Sequence, residues 1–132
     1  MIAVDTNVLL RYFVHDDHAQ FESAKRFFNE RTSTEPAYIS LVVLAEFAWV
    51  LRRRYRYSSA QVLGLLQALL DTAELSFELE DVLAPYFSGM KELKGDVADH
   101  LVALSSMRAA CSHSVTFDRA ASKAVHGMEL LA

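Results

Sequence analysis

Short apolar runs that stop at a carboxylate and give way to a helical stripe most restrict what this chain can fold into. Met1 to Val4 ends at Asp5, and Ser114 to Phe117 ends at Asp118. Runs this short cannot form a stable layer unless they pair. Strands separated by helices pair in parallel, because each helix serves as the crossover between neighbours. The expected fold class is therefore α/β, a three-layer α/β/α sandwich with a short, mostly parallel central sheet. In such sheets ligands bind beyond the carboxyl ends of the strands, where Asp5 and Asp118 stand.

The rest of the chain keeps the same alternation. A helix is expected over Val8 to Val14 with Thr6 as N-cap, and an amphipathic helix over Asp16 to Arg31, striped by Ala19, Phe21, Ala24, Phe27 and Phe28. Pro36 to Ser40 reads as a strand, and Ser40 as the cap of an apolar helix from Leu41 to about Tyr55. Ser58 and Ser59 open a helix through Leu70, Leu75 to Leu79 is a strand, and a helix follows from Asp81 to about Lys91. Gly95 and Asp96 begin a helix reaching about Ala110. After the Ser114 to Phe117 strand come a short helix and a terminal strand near Met128 to Leu131.

With 132 residues, 52% of them hydrophobic, the chain has material for one core and too little for two, so residues 1–132 are expected to form a single domain. The lone Cys111 can form no internal disulfide; it is expected as a small buried hydrophobe in a reducing, cytoplasmic setting. Asp5 interrupts the first apolar run where a signal peptide needs continuity, so no export is expected. Leu41 to Leu51 holds Glu46 at its centre and falls short of the about 18 apolar residues of a membrane span. A net charge of −4 speaks against a polyanionic ligand unless the cations are clustered. They are: Arg52, Arg53, Arg54 and Arg56 form one run, whereas Asp71 to Asp99 carries eight acids and two lysines.

Glu46 is the one ionisable side chain between Leu41 and Leu51, with Val42, Val43, Trp49 and Val50 as helical neighbours. Buried alone, its charge would be prohibitively costly, so it must reach solvent on a narrow face or meet a cation. Asp96 and Asp99 share a face at a helix start, where Asp96 after Gly95 also reads as an N-cap. Asp5 and Asp118 are both equally suited to capping the helix that follows. Carboxylates from separate segments, with no cysteine or histidine cluster, are the oxygen ligands that a hard divalent cation takes. Magnesium is expected, with manganese as a substitute. Without an ion, acids held together repel and titrate upward.

Four stretches in order resemble the acidic signature of PIN domains: Asp5-Thr6-Asn7, Glu46 within Leu44 to Leu51, Asp96 to Ala103, and Thr116-Phe117-Asp118. Their order, spacing and the overall length also resemble VapC-like toxins. The resemblance implies a magnesium-dependent endoribonuclease whose catalytic acids and metal ligands are Asp5, Glu46, Asp99 and Asp118. Asp96, Thr6, Asn7 and Thr116 would support them by orienting carboxylates. It further implies the toxin of a type II toxin–antitoxin pair, a homodimer, and a VapB-like antitoxin that inserts a segment into the active-site groove. The segment after Asp99 departs from the family, reading His-Leu-Val-Ala-Leu-Ser-Ser where small apolar residues are commoner.

Arg11, Arg52 and Arg53 are candidates for holding RNA phosphates or an antitoxin's acidic groups. The five histidines show no ligand spacing and read as surface or packing residues; Phe47, Trp49 and Tyr12 read as core in preference to dimer contacts. Three other readings stay open. A housekeeping RNA-processing nuclease would use the same acids. A hydrolase forming an aspartyl-phosphate at Asp5 would need a second aspartate where Asn7 stands. A catalytically silent RNA- or protein-binding module would not need the full acid set.

Overall fold

Side-chain caps decide where most of the helices begin. The computed structural model describes residues 1–132. Strand β1 (Ile2–Ala3) leads into helix α1 (Thr6–Phe13) through Asp5, whose Oδ1 accepts from the Thr6 N–H at 2.8 Å. Asp5 and not Thr6 is therefore the cap, and α1 starts two residues earlier than its apolar stripe implies. Thr6, one position into the helix, is buried at 5% exposure. Helix α2 (His18–Asn29) starts from Asp17, whose Oδ1 accepts from the Gln20 N–H. After β2 (Ala37–Ile39), Ser40 caps α3 (Leu41–Arg53) as expected, its hydroxyl accepting from the Val43 N–H. Ser58 and Gln61 form a reciprocal capping box at the head of α4 (Ser59–Leu70).

Strand β3 (Leu75–Phe77) is cut short because Leu79 turns into the left-handed region at φ 56°. Helix α5 (Glu80–Ser88) follows at once, with the Glu80 carboxylate accepting from the Phe77 N–H. Helix α6 (Val97–Arg108), β4 (Ser114–Thr116), α7 (Arg119–Ala124) and β5 (Met128–Leu130) complete the chain.

All strand pairing is parallel, as the alternation requires. β1 pairs with β2 in the register Ile2 to Ala37, and β2 with β3 from Ala37 to Leu75. β4 pairs with β5, Ser114 opposite Met128. The strands form two sheets in place of one continuous sheet, ordered β1-β2-β3 and β4-β5. No ladder joins β1 to β4, so each keeps a free edge. Helices flank these short sheets in the α/β/α manner.

Helix α3 lies at the centre of the helix packing, against α1, α4 and α6. The main core includes Leu9, Ile39, Leu44, Leu51, Leu83 and Phe87, each under 2% exposed. A smaller cluster of Ala103, Ala121, Val125 and Met128 fastens α7 and β5 to α6. Two expectations about packing fail. Cys111 is exposed, because it follows a left-handed residue, Ala110, in the turn out of α6, and no apolar face passes over it. Trp49 is exposed as well, on the side of α3 opposite its buried residues Val43, Leu44, Phe47, Ala48 and Leu51. Phe47 is in the core, and Tyr12 is half-buried against Phe13, Phe21 and Phe28. No helix is long and apolar enough to cross a membrane.

Candidate active site

The end of β1 delivers Asp5 into a cavity of about 390 Å³, shared with Asn7, Arg11, Gln20 and Ser23. One carboxylate oxygen of Asp5 is engaged in capping, and the side chain remains exposed. The end of β4 delivers Asp118 in the same manner. Its Oδ1 accepts from the Ala121 N–H at 3.0 Å, and its own backbone N–H donates to the Thr116 hydroxyl at 3.0 Å. Thr116 thus steadies the backbone that carries Asp118. Both acids do cap helices, and in each case a single oxygen does so, leaving the other available.

Asp96 occupies the N-cap position of α6, but its side chain makes no capping bond. Only its backbone oxygen is engaged, accepting from the Asp99 and His100 N–H groups. Capping therefore does not account for the Asp96 carboxylate, contrary to what its place after Gly95 implies. One helical turn on, Asp99 is half-buried. Burial pushes its carboxyl above the ordinary range, and the negative charges of Asp96 and Asp118 push it further; His100 acts in the opposite direction. Asp96, Asp99 and Asp118 are thereby one electrostatic group, drawn from the start of α6 and the end of β4.

Glu46 stands apart from that group. It is exposed on the solvent side of α3, with Val42 and Trp49 as exposed neighbours at i−4 and i+3. The surrounding apolar sequence left two outcomes for this charge, solvent on a narrow face or a compensating cation. The first holds without any ion: α3 exposes Val42 and Trp49 together with Glu46, so solvation accounts for its charge. Its helix nevertheless packs against α6, the helix that bears Asp99. Asp5 and Glu46 are not among the charges that shift Asp99.

A network that spacing alone did not disclose holds the turn into α6. His100 is 2% exposed; its Nε2 lies 2.7 Å from the Lys94 carbonyl, and its Nδ1 lies 2.6 Å from the Tyr86 hydroxyl. A carbonyl can only accept, so Nε2 donates its N–H to Lys94, while Nδ1 shares a hydrogen with the Tyr86 hydroxyl. Burial raises the pKa of the Tyr86 hydroxyl, so it holds its proton more firmly. Gly95, at φ +78°, completes the turn: a Cβ there would stand 3.0 Å from that of Ala124. The sequence signal was His100 falling on the same face of α6 as Val97, Leu101 and Leu104.

The arginines divide into two places. Arg11 lines the Asp5 cavity, held by Gln20 at 2.7 Å and paired with Asp16 at 3.4 Å. Arg52 and Arg53 line a cleft of about 210 Å³ with Trp49, Gly95 and Asp96. Arg52 donates to the Tyr57 carbonyl, and neither of the two pairs with a carboxylate.

The donor set suits a hard cation in kind: carboxylates from separate segments, one of them, Asp99, pushed up by burial and by the charges of Asp96 and Asp118, with the buried Thr6 hydroxyl lacking any partner beside Asp5. It is not yet a coordination sphere, because no three His, Cys, Asp or Glu side chains are grouped closely enough to hold an ion. The family model described as PIN domain matches residues 2–126. No curated protein and no solved structure matches the chain.

Proposed function

The chain belongs to the PIN-domain family, and from that premise we propose that it is a magnesium-dependent endoribonuclease hydrolysing RNA phosphodiester bonds. Members of the family are generally nucleases. The observation that carries the reading for this chain is the half-buried Asp99 in the first turn of α6, its carboxyl pushed up by burial and then by the charges of Asp96 and of Asp118 beyond the end of β4. Such mutual repulsion is costly in the absence of a ligand and is relieved by a divalent cation.

Asp5, Glu46, Asp99 and Asp118 are the acids proposed to hold the ion, Mg2+ or in its place Mn2+, with Asp96 supporting. When bound, the ion would neutralise charge developing on the phosphate and make a water easier to deprotonate. The protein's own part is to position groups. Thr116 holds the Asp118 backbone, Asn7 presents an amide at the mouth of the Asp5 cavity, and the Tyr86–His100–Lys94 network fixes the turn bearing Asp96 and Asp99. Thr6 offers its unpartnered hydroxyl beside Asp5. Arg11, in the cavity of Asp5, and Arg52 and Arg53, in the cleft of Asp96, provide cations for RNA phosphates.

The reading extends to a toxin of a type II toxin–antitoxin pair, working as a homodimer and silenced by a VapB-like antitoxin whose acidic groups meet the same arginines. What supports this is the resemblance of the four acidic stretches. A small upstream reading frame for a DNA-binding antitoxin distinguishes it from a housekeeping RNA-processing nuclease. For the activity itself, purified protein freed of any partner should cut RNA with Mg2+ or Mn2+ and stop when a chelator is added. Asp5→Asn and Asp99→Asn should each lose cleavage while keeping the fold, and full activity in both would refute the assignment of the acids.

A further inference from the structure

Trp49 is the chain's one tryptophan, and it stands 55% exposed on a helix whose Phe47 is only 3% exposed. Its ring borders the cleft that also holds Arg52, Arg53, Gly95 and Asp96. The Arg53 guanidinium lies 5.9 Å from the ring centroid, near the outer limit of a cation–π contact. With no carboxylate paired to Arg52 or Arg53, the cleft combines an open aromatic face with two uncompensated cations. Glu46, three residues before Trp49, lies about 5–6 Å away along the exposed face of α3, and Asp96 lines the same cleft.

An aromatic face beside cations is the pairing that holds single-stranded nucleic acid: a base stacks on the ring while the backbone runs along the positive charges. We propose that Trp49 is a stacking platform for an unpaired base of single-stranded RNA, with the adjoining phosphate on Arg52 and Arg53. The strand then leads past Glu46 and Asp96 toward the acids. This rests on the ribonuclease reading and adds to it a base-stacking subsite. Bases within a duplex are already stacked on one another and present no free face to an indole.

Because no other tryptophan contributes, the emission of the protein reports on this residue directly. In a chelator, which prevents cleavage, titration with a single-stranded oligouridylate should change Trp49 emission saturably. An RNA duplex of equal length should act at least tenfold more weakly. With a labelled oligouridylate followed by anisotropy, Trp49→Ala should weaken binding roughly tenfold, Trp49→Phe should restore most of it, and Arg53→Gln should reduce the dependence on log salt by about 0.7. Binding by the parent with unaltered emission, together with unimpaired Trp49→Ala, would overturn the proposal while leaving the ribonuclease reading in place. A chain that neither binds nor cuts RNA would overturn both. An emission change that follows protein concentration without RNA would give this surface to a second copy of the chain and overturn the proposal.

Discussion

Replacing Asp99 with asparagine should raise the stability of the protein in a chelator and lower it, relative to the parent, in magnesium. The side chain keeps its shape and loses its charge, so the cost of partly burying that charge is removed and the repulsion from Asp96 and Asp118 disappears. Asp99 is half-buried, and solvent screens part of each pairing. On the scale of partly exposed ion pairs, the relief from two neighbours is about 0.5–1.5 kcal/mol. For a chain of this length, 1 kcal/mol corresponds to roughly 4 °C in melting temperature. The variant should therefore melt roughly 2–6 °C above the parent in a chelator. In magnesium at a hundred times its dissociation constant, the parent gains about 2.7 kcal/mol, roughly 10 °C, and the variant far less, so the order reverses.

The pH dependence follows from the direction of the Asp99 shift. The folded state holds that proton more tightly than the unfolded chain does, so the metal-free parent carries no penalty well below the unfolded value of 3.8. The penalty develops as pH rises through 3.8 and is complete above the raised folded value. The two metal-free melting curves should accordingly converge on acidification. Scanning calorimetry at several pH values, with and without magnesium, reads all of this. A variant that melts below the parent in a chelator at neutral pH would refute the reasoning, since Asp99 would then be stabilising without any ion.

Tyr86→Phe removes the hydrogen-bond partner of a nearly inaccessible His100 Nδ1 and should cost about 1–3 kcal/mol by denaturant unfolding, with weaker magnesium binding as the turn into α6 loosens. Unchanged stability and affinity would show the network to be dispensable. Gly95→Ala should cost roughly 1–2 kcal/mol from the left-handed backbone alone, and more from the 3.0 Å approach to Ala124. A variant as stable as the parent would mean that this turn relaxes freely. Phe87→Ala, at a site with 0% exposure, should cost about 3–5 kcal/mol in the same assay and so serves as the core reference for both.

The elements were readable where local chemistry decides them. Ser40 and Ser58 cap helices as their hydroxyls predict, and the strands at Ala37–Ile39 and Ser114–Thr116 lie within the expected runs. What escaped depends on groups distant in sequence. The separation of β1 from β4 is a matter of long-range pairing that neither run encodes. At Glu46 the apolar neighbours left open whether the charge meets solvent or a cation; Val42 and Trp49 are turned outward with it, because the side of α3 facing the core is supplied by Val43, Leu44, Phe47, Ala48 and Leu51. At Asp96 the sequence offered a cap, and the structure leaves the carboxylate unengaged by the helix. The His100 network needed Tyr86, fourteen residues earlier, to be recognised.

The central claim is that acids from separate segments close around one divalent ion, and a crystal structure of the RNA-free protein soaked in Mn2+ addresses it most directly. The account predicts an anomalous peak with oxygens of Asp99 and Asp118 within about 2.2 Å and Asp5 and Glu46 turned toward it. Saturating Mn2+ with no peak among these acids, in protein that still cuts RNA, would contradict it.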